Sequence, residues 1–140
     1  MSTFALVLVE EGIEADLPIN LSNMLGLLDQ IVPKIEHNNF GYQLASVSRA
    51  RLGSRWELNV KLVDLRNNRV YEEPVGCIEV QKTAEDTVNF RIPPRAEQDY
   101  PGMAKLDFDG VYYGSFCCEM INHLYDRGLM QLPGRLPTFG

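Results

Sequence analysis

The chain has 140 residues, a formal net charge of −6 at pH 7, and hydrophobic and charged fractions of 45% and 23% that are ordinary for a soluble globular protein. That length supplies one domain that buries about two-thirds of its unfolded surface without staples. The acidic balance, with an isoelectric point near 4.9, argues against the long phosphate-neutralising surface of a nucleic-acid binder, and no apolar run reaches the length of a membrane span.

The start, Met1-Ser2-Thr3, carries no basic region and the apolar run Phe4–Val9 is short, so no signal peptide is read here. Three cysteines, an odd number, make no disulfide framework. Together these lead to the expectation of a cytoplasmic protein, cellular or viral. Phe4–Val9 itself predicts a strand buried on both faces, central in a sheet. Glu10 to Asp16 holds four carboxylates and reads as a solvated acidic loop, because no second ligand group at a defined spacing accompanies it.

Asn20 to His37 predicts the first helix. Leu21, Met24, Leu25, Leu28, Val32 and Ile35 recur at helical spacing, and Leu27 and Ile31 widen the stripe. Asn20 is the expected N-cap. Pro33 either kinks this helix near Asp29–Val32 or stops it, leaving a short turn to carry Lys34–His37. His37–Gly41 reads as the loop into the sheet.

Four strands in series follow. Gly41–Arg51 places Tyr42 and Leu44 on one face and Ala45 and Val47 on the other. Arg55–Leu65 alternates Trp56, Leu58, Val60 and Leu62 with Glu57, Asn59 and Lys61, so one face meets a core and the other water. The phase changes at Leu62–Val63, which requires either a β-bulge near Leu62 or a strand end covered on both faces. Asn67-Asn68 suits a two-residue hairpin turn. The third strand starts at Val70 and Pro74 interrupts it, so that either the Val70–Glu73 half is an edge or a bulge sits at Pro74. Beyond it Gly76, Ile78 and Val80 face one way. Thr83–Asp86 is the next turn, and Thr87–Ile92 turns Val88, Phe90 and Ile92 inward.

Pro93–Gly102 is a long loop containing three prolines and Tyr100, and such loops are often functional. Asp109–Arg127 predicts the second helix, with Tyr113, Phe116, Cys117, Met120, Ile121 and Leu124 as its stripe and Gly128 as its terminator. Residues 1–128 then form one domain. The tail 129–140, with Leu132, Leu136 and Phe139, is too apolar to hang free and should lie on the body or on a partner.

The expected class is α+β: an antiparallel sheet of about five strands, in the order β-α-β-β-β-β-α, with two helices packed on it. A first helix followed by a four-strand meander resembles the hotdog and cystatin-like architectures, which host many functions. No phosphate loop, nucleophile elbow or zinc helix is present. Asp107–Gly110 fits a calcium loop only if Lys105 and Phe116 were ligands, which excludes it. Adjacent Cys117 and Cys118 diverge by about 100° on a helix and read as buried thiols. No catalytic residue, cofactor or metal is assigned. A weak enzymatic arrangement would gather Tyr42, Asp107, Asp109, Tyr112 and His123 at one end of the sheet.

The favoured expectation is a non-enzymatic interaction, assembly or inhibitor protein that binds a protein partner or itself through surface contacts, with Leu132, Leu136 and Phe139 as an association tail. Candidate binding residues are Tyr42, Trp56, Tyr100, Tyr112 and His123. The alternative is a small-molecule-binding or enzymatic domain with a pocket between the sheet and the first helix, lined by Tyr42, Trp56, Phe90 and Tyr112. A third reading, nucleic-acid binding, would use Arg49, Arg51 and Arg55, the one cationic cluster.

Overall fold

A computed structural model describes residues 10–49, 55–98 and 110–137, without the side chains of 46–49 and 110–111. Within them the chain is α+β, with two helices and an antiparallel sheet. The elements are β1 (Ile13–Leu17), α1 (Leu21–Ile31), a 3₁₀ turn (Val32–Lys34), β2 (Glu36–His37), β3 (Phe40–Arg49), β4 (Arg55–Asp64), β5 (Arg69–Val70), β6 (Gly76–Ala84), β7 (Thr87–Ile92), a second 3₁₀ turn (Arg95–Glu97) and α2 (Gly110–Asp126). Among the described residues the sheet has seven strands in the order β1-β7-β6-β4-β3-β2, with β5 pairing off β4; β2 and β5 are two residues each, so the expected sheet of about five is roughly met.

The extra strands come from places read as loop. Glu10 and Glu11 are helical, and the rest of the acidic stretch is the edge strand β1. Ile13, Ala15 and Leu17 pack on the core while Glu14 and Asp16 point to solvent. Its register sets Ile13 against Ile92 and Leu17 against Val88. The strand expected at Phe4–Val9 lies outside the described residues. At the opposite edge, the turn between β2 and β3 is Asn38-Asn39, both with positive φ (48° and 68°), a pattern that brings His37 against Phe40.

The helix α1 starts as read: Asn20 caps it, its side-chain oxygen accepting from the Asn23 N–H at 2.8 Å. It stops at Ile31, because Pro33 has no N–H to continue the ladder, and the chain tightens into the 3₁₀ turn. It does not run to His37, which belongs to β2. Met24, Leu28, Ile31, Val32 and Ile35 are buried.

No bulge sits at Leu62. The phase change there is a strand end, where Val63 lies between Gly41 on β3 and Val70 on β5. The bulges fall at Ser46/Ser48 and Lys82/Ala84 instead. The turn after β4 is the four-residue run Leu65–Asn68, with only Asn68 left-handed (φ 57°), rather than an Asn-Asn pair. Asp64 stabilises it by accepting from the Arg66 backbone N–H at 3.0 Å.

Behind the sheet, α2 is buried nearly all round. Tyr113, Phe116, Cys117, Cys118, Met120, Ile121 and Leu124 are in the core, and so are the polar Ser115 and Asn122. Each large apolar side chain fully buried in this way contributes roughly 1.5–3 kcal/mol. The inner face of the sheet meets it with Tyr42, Leu58, Val60, Leu62, Ile78, Val80, Val88, Phe90 and Ile92. Gly76 makes the closest approach: a Cβ there would overlap the Tyr113 ring and hydroxyl. The helix ends in a Schellman turn, with Gly128 at φ 72° and bonds from the Gly128 N–H to the Tyr125 carbonyl (2.9 Å) and from the Leu129 N–H to the Leu124 carbonyl (3.0 Å). No helix among the described residues is long and apolar enough to cross a membrane.

Candidate functional site

The tips of two hairpins lie side by side, because β3 and β4 pair up to Phe40–Asp64 and the Leu65 N–H extends the ladder to the Asn39 carbonyl at 2.9 Å. One tip is Asn38-Asn39 and the other Leu65–Asn68. Behind the first tip sits a largely buried polar cluster.

His37 is its centre. Its side chain is 7% exposed. The ring nitrogen Nδ1 lies 2.9 Å from the Tyr42 hydroxyl, and Nε2 lies 2.9 Å from Glu119 Oε2 on α2. Tyr112, two turns before Glu119 on the same face of α2, sets its ring 6.0 Å from the imidazole, and its hydroxyl accepts from the Asn38 side-chain amide. The Tyr42 ring stacks on Phe116 at 4.2 Å. Burial first, then Cys117, Glu119 and Tyr112, pushes the Tyr42 phenol far above its ordinary range. It therefore keeps its proton and can donate it to Nδ1, while the Nε2–Oε2 approach is a close contact without hydrogen-bond geometry.

Carboxylate, imidazole and hydroxyl stand here in the order of a nucleophilic relay. The hydroxyl is a phenol, however, locked in the core and held protonated, so it is a poor nucleophile near neutral pH. What the arrangement does well is fasten the β2–β3 hairpin to α2. Glu119 alone of the three reaches the surface, with 32% of its side chain exposed.

The second tip is a surface. Among the described residues Leu65 and Val70 are the large apolar side chains left exposed, at 36% and 40%. Leu65 lies over Gly41, close enough that an added Cβ would sit 3.1 Å from Leu65 Cδ2. Arg69 stacks 4.8 Å above the Tyr71 ring, which leans on Phe40 at 6.4 Å. Arg66 is clamped by Asp64 through Nε at 3.1 Å and Nη2 at 3.0 Å, and those bonds hold the Asp64 carboxyl below its ordinary range.

Of the residues singled out from sequence, Tyr42 and Tyr112 meet around His37. Trp56 does not join them: it pairs with Arg49 and Val80, six residues along β4 from the Leu62 that faces Tyr42, or about 20 Å away. Phe90 is fully buried in the core. His123 belongs to a separate contact in which Arg127 donates to the His123 carbonyl at 2.9 Å, and burial, then Arg127, lowers the His123 pKa. Leu132 and Leu136 pack against the core. Tyr100, Asp107, Asp109, Phe139 and Arg51 lie outside the described residues, as does the Arg49 side chain. Arg55 is paired with Glu79, which also accepts from Arg91 at 3.0 Å.

Sequence reasoning missed His37, Asn38 and Glu119. The Asn-Asn pair after His37 was the available signal, since it is the turn pattern also present at 67–68. Among the described residues no three His, Cys, Asp or Glu side chains are grouped to hold a metal ion. The thiols are kept protonated: burial, then Glu119, pushes Cys118 up to about 11, and burial pushes Cys117 higher still. No family model matches the chain, and neither a curated protein nor a solved structure matches it.

Proposed function

We propose that the chain is a non-enzymatic interaction module that binds a protein partner through the paired hairpin tips. The observation that carries this is the exposure of Leu65 and Val70 on one face of the second tip, whose other face carries Arg69 stacked on Tyr71. Exposed apolar side chains mark association surfaces, and arginine and tyrosine are enriched at interfaces. The His37 clasp supports the same reading, because it holds one tip rigid against α2 and so lowers the entropy lost on binding. The test compares tagged wild type with Leu65→Ser/Val70→Ser, isolated from cells that make the protein. Association with a specific protein in the wild type, lost in a variant whose stability is unchanged, supports the reading. The same associated proteins in both would end it.

A second reading, small-molecule binding at the Glu119–His37–Tyr42 cluster, is favoured by the way Glu119 links buried His37 to the surface. Its test is perturbation of the His37 and Tyr112 ring signals by candidate ligands in NMR. Unmoved signals across a broad ligand set would remove it.

A further inference from the structure

Residues 129–137 form neither helix nor strand, and among the described residues no backbone–backbone hydrogen bond holds 130–137. This strap is seated by other means. Leu129, Leu132 and Leu136 pack against the core, and Met130 is buried. Asn122, itself only 2% exposed on α2, accepts from the Leu136 N–H at 2.7 Å and donates to the Leu136 carbonyl at 2.9 Å. Its side-chain amide reads the strap's backbone as a neighbouring strand would. Arg135 adds an ion pair with Asp126.

We propose that the chain self-associates by exchanging this strap between two copies. The seat is shown to fit the strap, so a second copy's strap fits it equally and the contacts of Leu132, Arg135 and Leu136 are remade in trans. The cost of exchange then falls on the hinge, and the hinge is Gly128. In the closed form it is left-handed, and glycine alone takes the right-handed helical conformation as readily. With Gly128 helical, α2 runs on toward Gln131, where Pro133 ends it, and the strap leaves its own body for a partner's. This surface is separate from the hairpin tips and the inference stands without them.

The test is molecular mass by light scattering on the full chain, refolded at low and at high concentration. Gly128→Ala is the decisive variant, since a Cβ there meets nothing within 4 Å and the change acts on backbone conformation alone. The left-handed penalty favours the open hinge about fivefold, so with two hinges the dimerisation constant rises about twenty-five-fold. Asn122→Leu removes the latch and should give a monomer that trypsin cuts at Arg135 while still folded. Leu65→Ser/Val70→Ser should leave the dimer intact, which separates this claim from the hairpin-tip reading. A Gly128→Ala chain that stays monomeric at every concentration overturns the proposal. So does a Gly128→Ala dimer that survives the addition of Asn122→Leu, since its interface would lie elsewhere.

Discussion

Replacing Gly76 by alanine is the sharpest test of how the sheet meets α2. The new methyl would overlap the hydroxyl, Cζ and Cε1 of Tyr113. That ring is 2% exposed and packed 5.9 Å from Phe116, and its buried hydroxyl makes no hydrogen bond among the described residues. Two responses are open. If the ring stays and its surroundings shift, overpacking costs about 1–3 kcal/mol. If the ring swings out, the lost burial and the cavity cost about 3–5 kcal/mol. The first is cheaper, so the expected loss is about 2 kcal/mol, or roughly 6 °C in Tm for a chain of this length. The assay is denaturant unfolding of wild type, Gly76→Ala, Tyr113→Leu and the double variant. Because Tyr113→Leu removes the clashing atoms, the double variant should be more stable than the sum of the singles predicts, by about 1–2 kcal/mol. A Gly76→Ala chain within about 0.5 kcal/mol of wild type, or strictly additive effects, would refute the packing described.

Other outcomes follow from the same contacts. Tyr42→Phe strips His37 Nδ1 of its hydroxyl partner and should cost about 1–2 kcal/mol in chemical unfolding, far less than truncation to alanine. Asn20→Ala leaves the Asn23 N–H uncapped and should cost about 1 kcal/mol by the same assay. Hydrogen bonds from Arg66 hold Asp64 below the ordinary carboxylate range, so its contribution is present above that range and is lost as pH falls through the lowered folded value. In an NMR titration Arg66→Ala should return the Asp64 midpoint upward, and an unmoved midpoint would show that the pairing is inconsequential. Asp126, lowered by Arg135, follows the same sign, so acid should loosen the strap and lower the protection of the Leu136 amide relative to its intrinsic exchange rate at the same pH.

Much of the sheet could be read directly. Val88, Phe90 and Ile92 alternate cleanly with Thr87, Asn89 and Arg91, and period two leaves no other reading. The Asn20 cap and the stop before Pro33 are equally local, because each depends on one side chain and the next turn of backbone. The edge strand β1 shows how local signals mislead. Glu14 and Asp16 drew attention as charge, although Ile13, Ala15 and Leu17 carry the same alternation as β7, and carboxylates on an edge also discourage further pairing. The clasp was out of reach for a different reason. His37 and Glu119 are brought together only by the packing of β2 against α2, and nothing in either neighbourhood announces the other. Asn122 carries no signal of its own in the sequence, because its burial depends on a strap whose path no periodicity predicts.

The central claim, that the chain works by contact through its paired hairpin tips, is tested most directly by site-specific photo-crosslinking. A photoreactive residue would replace Val70 in one chain and the exposed Lys82, at the far turn of the sheet, in another. Irradiation in the cells that make the protein should give a discrete protein adduct from position 70 and none of that mass from position 82. Equal adducts from both positions, or none from position 70 in a chain that folds normally, would contradict the account.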